Sequence, residues 1–268
     1  MKVETLIKKA QEAMNAKGAD LTVDGKWGPK SDAASEGFEL KIEAIPDDMT
    51  PPVEPPVSVD GITEPKFVIV KGVKFKDRGD YKTPSGKFKG MTVHYAVSGK
   101  KASSARGVIQ YLASQGFGCA AMDEDGLIYI PEGFDIFKTW GYHSGVSKWK
   151  GRSSVSDINF GMEVCSFGRN PPSSVPKSDT RTVTRAQGYV VSGTYEKYTE
   201  AQEKSLINFI LWAKKNNKEF DLDWIAGHDE LREQAGKLGD KQDPGGSLSM
   251  TMPQLRALVK TKAAKLGI

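Results

Sequence analysis

Residues 91–113 read MTVHYAVSGKKASSARGVIQYLA, and this stretch decides the fold class. Its first five residues are an apolar run of the kind found in buried strands. Residues 104–113 place Val108, Ile109 and Leu112 on one face of a helix. A strand that leads into an amphipathic helix indicates a sheet covered by helices.

The same alternation continues to the end of the chain. The segment 167–197 fits neither pattern and is expected to be an inserted loop or hairpin. We therefore expect one α/β (α+β) domain over residues 63–268, with a central mixed β-sheet flanked by helices. Strands are predicted at residues 67–70, 91–95, 159–166 and 223–227, two further strands at 119–130 around a turn at Asp125-Gly126, and helices at 104–113, 200–214 and 253–267.

The first 62 residues have a different organisation. Apolar residues recur at helical spacing up to Gly18, and Pro29 can open a second helix that runs to about Leu40. Residues 1–45 are therefore expected to form a small all-α module. Residues 46–62 contain five prolines and are expected to be an extended linker.

Composition narrows the classes of partner. The chain has 268 residues and a net charge of +4 without a block of like charges, which argues against nucleic acid and is compatible with an anionic surface. The beginning of the sequence lacks an apolar signal region, and no apolar run is long enough for stable membrane insertion. We expect a monomer without a classical export signal, in which Cys119 and Cys165 are buried free thiols.

Three histidines carry the first chemical signal, since each lies at or beside a predicted strand or loop. They are His94, His143 and His228. Two of them, His94 and His228, would form with one carboxylate the donor set of a catalytic zinc site. Asp243 is our candidate carboxylate because it precedes a Pro-Gly-Gly turn. By spacing alone, a metal ligand and a plain turn are equally good interpretations of it.

Glu163 carries a second signal, because it interrupts an apolar strand. A buried carboxylate needs a partner or a metal. The alternative is a charge that points to solvent.

Six short motifs then occur in a fixed order: TVHY (92–95), YHSGVSKW (142–149), NFGME (159–163), YTEAQ (198–202), GHD (227–229) and KQDPG (241–245). In this order they resemble the type 2 N-acetylmuramoyl-L-alanine amidases. That family includes phage lysozyme-like amidases, bacterial recycling amidases and animal peptidoglycan recognition proteins. The resemblance covers roughly residues 65–265.

The resemblance implies a zinc amidase fold and one Zn²⁺ per chain, held by His94, His228 and Asp243. It also implies catalytic roles for three further residues. Glu163 corresponds to a general base or water-orienting acid, Lys241 to the group that stabilises the oxyanion, and His143 to a cleft histidine that contacts substrate.

One expected feature of some phage members is missing. They carry a catalytic tyrosine in the strand before the Asp-Gly turn, and residues 118–122 contain none. His143 or Glu163 is therefore expected to take over that role. Tyr95 and Trp149, which lie within the motifs, are predicted to contact substrate.

The N-terminal segment resembles the peptidoglycan-binding domain type 1 family through DGKWGPK (24–30) and SDAA (31–34). Trp27 is a candidate substrate contact, or it fills the small core of the module. A wall-binding module on a proline-rich tether favours an enzyme that acts on an insoluble polymer.

Together the two resemblances imply a phage or prophage endolysin. Such an enzyme would be made in the host cytoplasm and would cut the bond between N-acetylmuramic acid and L-alanine at the cell wall after release. The alternatives are a non-catalytic peptidoglycan-recognition protein and a bacterial autolysin or toxin amidase.

Overall fold

The computed structural model describes residues 61–76 and 78–268, together with positions 11, 12, 15, 22 and 23. The predicted module at residues 1–45, with Trp27, and the predicted linker up to residue 60 lie outside the described residues, except for those isolated positions.

The described domain contains a six-stranded mixed sheet with strand order β1-β4-β3-β7-β2-β10. Strands β3 and β4 are an antiparallel hairpin, and the other neighbours in the sheet are parallel. The strands are β1 (Phe67–Lys74), β2 (Gly90–Tyr95), β3 (Cys119–Met122), β4 (Ile128–Glu132), β5 (Lys148–Trp149), β6 (Arg152–Ser153), β7 (Asn159–Val164), β8 (Thr180–Val183), β9 (Gly193–Glu196) and β10 (Ile225–Gly227), and the helices are α1 (Ala102–Gln115), α2 (Glu200–Asn216), α3 (His228–Gln234) and α4 (Met252–Lys265).

The predicted fold class is confirmed, and so is the hairpin around Asp125-Gly126. The segment 167–197 contains a second hairpin, made by β8 and β9. Two elements differ from the sequence prediction. The strand expected at 223–227 begins at Ile225, after a 3-10 turn, and the short helix α3 follows it directly.

Helices cover both faces of the sheet. Helix α2 begins at the N-cap Thr199, whose hydroxyl accepts a hydrogen bond from the backbone of Gln202. The apolar sides of α2 and α4 share one core with residues such as Met91, Met162 and Ile128. Helix α1 covers the opposite face.

Strand pleating decides which side chains reach the α1 face. Val93 of β2 and Met162 and Val164 of β7 belong to the core shared with α2 and α4. Because successive side chains point to opposite faces, His94 and Glu163 point to the α1 face. The sheet therefore presents both polar side chains on the same side.

Cys165 is fully buried and free, as the sequence predicted, and burial raises the pKa of its thiol to about 12. The side chain of Cys119 lies outside the described part. Within the described residues, the helices are all too short or too polar to cross a membrane.

Candidate metal centre

His94 and Glu163 are direct neighbours in the parallel ladder between β2 and β7. On its other side, Glu163 lies opposite Ala121 of β3. The register alone therefore brings one imidazole and one carboxylate together on the α1 face of the sheet.

His228 is the first residue of α3, immediately after β10, which is the neighbour of β2. Gly227 precedes it and permits a close approach of the chain. A Cβ atom at Gly227 would lie 2.3 Å from Oδ1 of Asp229 and 2.8 Å from Cδ of Pro244. Glycine at this position thus lets the loop that carries Asp243 pack against the start of α3.

The loop with Asp243 is held from two sides. The carbonyl oxygen of Asp243 accepts a hydrogen bond of 2.9 Å from the backbone N–H of Asp229. Gly245 has a φ of +46°, and a Cβ atom there would lie 2.5 Å from the ring of Tyr195 in β9. A Cβ atom at Gly246 would lie 2.9 Å from the side chain of Val183 in β8. The β8–β9 hairpin therefore supports the loop from outside.

Three side chains converge at the point where these elements meet. Nδ1 of His94 lies 2.8 Å from Oδ2 of Asp243, and Nδ1 of His228 lies 3.1 Å from the same oxygen. All three residues are buried, and their ligand atoms lie within 4.8 Å of one another. The sequence predicted this set, and the structure brings it together.

The ionisation states at this point suit a cation. Burial lowers the pKa of His94, so its imidazole is neutral. Burial alone would raise the pKa of Asp243, but His228 and His94 outweigh it and hold that pKa well below its usual range. The neutral imidazole of His94 and the ionised carboxylate of Asp243 are the forms in which these groups bind metal.

The spacing also suits a metal ion. A tetrahedral ion with bonds of about 2.0–2.1 Å keeps its ligand atoms roughly 3.3 Å apart. The two distances to Asp243, 2.8 and 3.1 Å, are slightly shorter than that value, and all three ligand atoms lie within 4.8 Å of one another. Two imidazoles and one carboxylate are also a known ligand set of catalytic zinc. The residues present therefore fit zinc.

Glu163 lies beside this group, and its pKa is raised well above the usual value. Burial is the largest cause, the charge of Asp243 adds to it, and Lys241 opposes it. Lys241 is exposed and lines the same cavity as Glu163. A carboxyl group with a raised pKa is suited to exchange protons near neutral pH.

His143 contacts Nε2 of His94, whereas Asp243 contacts Nδ1 of the same ring. Its Nδ1 is 3.1 Å from Nε2 of His94, and its Nε2 is 2.8 Å from the carbonyl oxygen of Asn159. Burial, followed by the neighbouring His94, lowers its pKa well below the usual value. His143 is therefore a neutral ring in contact with a candidate ligand.

Three supporting groups were not identified from the sequence. The carbonyl oxygen of Ser144 lies 3.1 Å from Nε2 of His228, and the hydroxyl of Tyr198 donates to the carbonyl oxygen of His94 at 3.0 Å. The third is the carbonyl of Asn159. Two of the three are backbone oxygens, which leave no signal in residue type, whereas Tyr198 belongs to one of the sequence motifs.

The site opens into a cavity of about 1100 Å³ between the sheet and α1. This is slightly above the range of roughly 300–1,000 Å³ that is usual for small-molecule sites, and it leaves room for a large substrate. Four exposed apolar side chains line it: Val97, Tyr111, Tyr142 and Val146.

The remaining predicted substrate contacts have different positions. Tyr95 lines the cavity, and burial, followed by the charge of Asp243, raises the pKa of its hydroxyl to about 12. Trp149 does not line it. Its ring packs in a separate cluster with Val155 and Leu231, and its Nε1–H donates to the carbonyl oxygen of Asp223. The structure thus gives Trp149 a packing position rather than a place in the cleft.

No family model and no curated protein matches this sequence. Similar solved structures include a selenomethionine derivative of AmpD, with 17% identity, 74% of this chain and 96% of that chain covered, and a TM-score of 0.46. The endolysin N-acetylmuramoyl-L-alanine amidase LysCS from Clostridium intestinale has 16% identity, with 75% and 99% covered and a TM-score of 0.47. Staphylococcus aureus hydrolase AmiA has 14% identity, with 77% and 87% covered and a TM-score of 0.47. We therefore base the function on the residues of this chain.

Proposed function

We propose that this protein is a zinc-dependent N-acetylmuramoyl-L-alanine amidase that hydrolyses peptidoglycan. The observation that carries the proposal is the convergence of His94, His228 and Asp243 beside Glu163, in one large cleft. The sequence motifs that resemble type 2 amidases supply the same residues in the same roles. The buried donor set supports one Zn²⁺ per chain.

When bound, zinc would lower the pKa of a water molecule to about 7 and polarise the scissile carbonyl. Glu163 takes the proton from the attacking water onto its carboxylate. The raised pKa of this group favours the transfer and lets the same carboxyl group return the proton to the leaving nitrogen of L-alanine. The C–N bond breaks, with hydroxide added to the lactyl carbonyl carbon.

Lys241 provides the positive charge for the oxyanion. It lines the cavity two residues before Asp243, and it is close enough to lower the pKa of Glu163. A fixed cation near the developing negative charge is stabilising mainly in the transition state.

The most direct test is digestion of purified sacculi followed by mass spectrometry. The proposal requires new free muramoyl carboxyl ends and new amino-terminal L-alanine, both absent with Glu163→Gln. Binding to sacculi without new ends would instead support the non-catalytic recognition protein.

We further propose that the enzyme is a phage or prophage endolysin and that residues 1–45 anchor it to the wall. It would act as a monomer, without nucleic acid, at the cell wall after release from the host cytoplasm. The support is the DGKWGPK motif with Trp27 and the proline-rich stretch that follows it. A tethered anchor raises the local concentration of enzyme on an insoluble polymer.

Deletion of residues 1–59 tests the anchor. Cleavage of small soluble muropeptides is expected to stay nearly unchanged, because every residue of the zinc site lies downstream. Cleavage of whole sacculi is expected to fall. A shortened protein that clears sacculi at the full rate would refute the anchor without affecting the amidase proposal.

A further inference from the structure

His143 has both ring nitrogens engaged by the protein itself. Its Nε2 lies 2.8 Å from the carbonyl oxygen of Asn159. A carbonyl oxygen can only accept a hydrogen bond, so Nε2 of His143 must carry the hydrogen. In the neutral ring, Nδ1 of His143 is then an acceptor.

That acceptor faces His94. Nδ1 of His143 lies 3.1 Å from Nε2 of His94, and the two rings are nearly perpendicular at 85°. Because Nδ1 of His143 accepts, Nε2 of His94 has to donate. The hydroxyl of Ser144, 2.8 Å from the same Nδ1, is a second donor and keeps this nitrogen an acceptor.

The consequence lies on the far side of the His94 ring. A neutral imidazole with its hydrogen on Nε2 has its lone pair on Nδ1, and Nδ1 of His94 is the atom that faces Asp243. The carbonyl of Ser144 has the same effect on His228 through Nε2. With a cation held between them and Asp243, both candidate ligands would therefore present a lone pair on Nδ1 to that cation.

We propose that His143 is a positioning residue that fixes the tautomer of His94, and not a group that reacts with substrate. The proposal rests on the metal site of the proposed function and changes the role that the sequence motifs imply for this histidine. A ring whose two nitrogens are both hydrogen-bonded inside the protein has no free nitrogen for the scissile amide. Its contribution is to present Nδ1 of His94 to the metal.

Two substitutions distinguish the effect of the hydrogen-bond acceptor of His143 from the effect of its ring. In His143→Asn, the side-chain oxygen is attached to Cγ, as Nδ1 is, and can accept from His94. In His143→Phe, the ring is kept and the acceptor is lost. The zinc dissociation constant of each full-length protein can be measured by competition with a chromophoric chelator.

Partners of this kind are worth about 10–100-fold in metal affinity. His143→Phe is expected to weaken zinc binding by that factor, and His143→Asn by only a few-fold. Equal weakening by both, or none by Phe, would overturn the proposal. Wild-type protein that bound no zinc would contradict the metal site itself, which is a separate result from any difference between the variants.

A second measurement needs no variant. Because the chain has three histidines, long-range ¹H–¹⁵N spectra of the zinc-loaded protein contain three imidazole patterns. We expect His94 to carry its hydrogen on Nε2, with a scalar coupling across the hydrogen bond to Nδ1 of His143. A His94 ring bound to zinc through Nε2 would contradict the inference, however the variants behave.

Discussion

His94 and Asp243 meet at one point but are placed there by different kinds of structure. His94 lies on β2, an inner strand of the sheet, where the pleat and the register with Glu163 decide its position. Asp243 lies on a loop that gains its position from α3 and from the β8–β9 hairpin. The strand side of the site is thus determined by strand pleat and register within the sheet, and the loop side by packing and hydrogen bonds outside it.

Removal of a candidate zinc ligand, from the strand side or from the loop side, should have the largest effect on zinc binding and on activity. His94→Ala and Asp243→Ala are each expected to lose bound zinc and to lower amidase activity by about 10⁴-fold or more, because the metal supplies several kcal/mol of stabilisation to the transition state. Metal analysis and turnover of soluble muropeptides measure this. Asp240→Ala, a cavity-lining carboxylate outside the ligand set, is the control and should keep its zinc.

Glu163→Gln acts on the strand side alone. It is expected to keep zinc and lower kcat by about 10²–10⁴-fold, the usual contribution of a general base. Steady-state kinetics with zinc content measured in parallel test this. Near wild-type turnover would remove Glu163 from the mechanism.

The loop side can be disturbed without touching a ligand. A methyl group at Gly245 meets the ring of Tyr195 and an unfavourable φ, so Gly245→Ala should destabilise the protein by about 1–3 kcal/mol and weaken zinc binding. Gly151→Ala is the matched control, since it has a φ of +84° but open space around it. Equal zinc affinity in the two variants would show that the hairpin does not hold the loop.

The pH dependence of stability probes the strand side without metal. The raised pKa of Glu163 means that the folded state binds more protons than the unfolded state, between the usual glutamate range and the raised value. The stability contributed by this group is therefore present at low pH and lost as pH rises through the raised pKa. Glutamine does not titrate, so the metal-free Glu163→Gln protein does not lose this stability. Its free energy of unfolding in urea, relative to that of metal-free wild type, should therefore increase with pH, by at most about 1.4 kcal/mol per pH unit. A constant difference would contradict the raised pKa.

The smallest effect is expected at the rim of the cavity, outside both sides of the site. Tyr142 is exposed and lies against Trp140 and the guanidinium of Arg78. Because Tyr142 lines the cavity, we expect its ring to contact bound substrate. Loss of one such aromatic contact costs about 0.5–1.5 kcal/mol, so Tyr142→Ser should raise KM by roughly 2–10-fold with little change in kcat. Leu238→Ser, an exposed residue outside the cavity lining, should leave both constants unchanged.

The same difference between the two sides explains what the sequence could predict. The strands with His94 and Glu163 follow from apolar runs, and alternation along them places the two residues on one face. Trp149 belongs to the same sequence motif as His143, but its ring packs against Leu231 and does not line the cavity. The sequence contains no sign of this packing. The contact of Tyr195 with the loop that carries Asp243 could not be predicted either, because nothing in the sequence of segment 167–197 indicates which loop it packs against.

The ligand set also affects how the chain can come apart. His94 and Asp243 are 149 residues apart in sequence, whereas His228 and Asp243 are 15 apart. A cation shared by the three would act as a removable cross-link that closes most of the domain into one ring. Restricting the unfolded chain over so long a loop disfavours unfolding. Unlike a covalent bridge, its strength depends on the free zinc concentration, so the free energy of unfolding would follow the metal content of the surroundings.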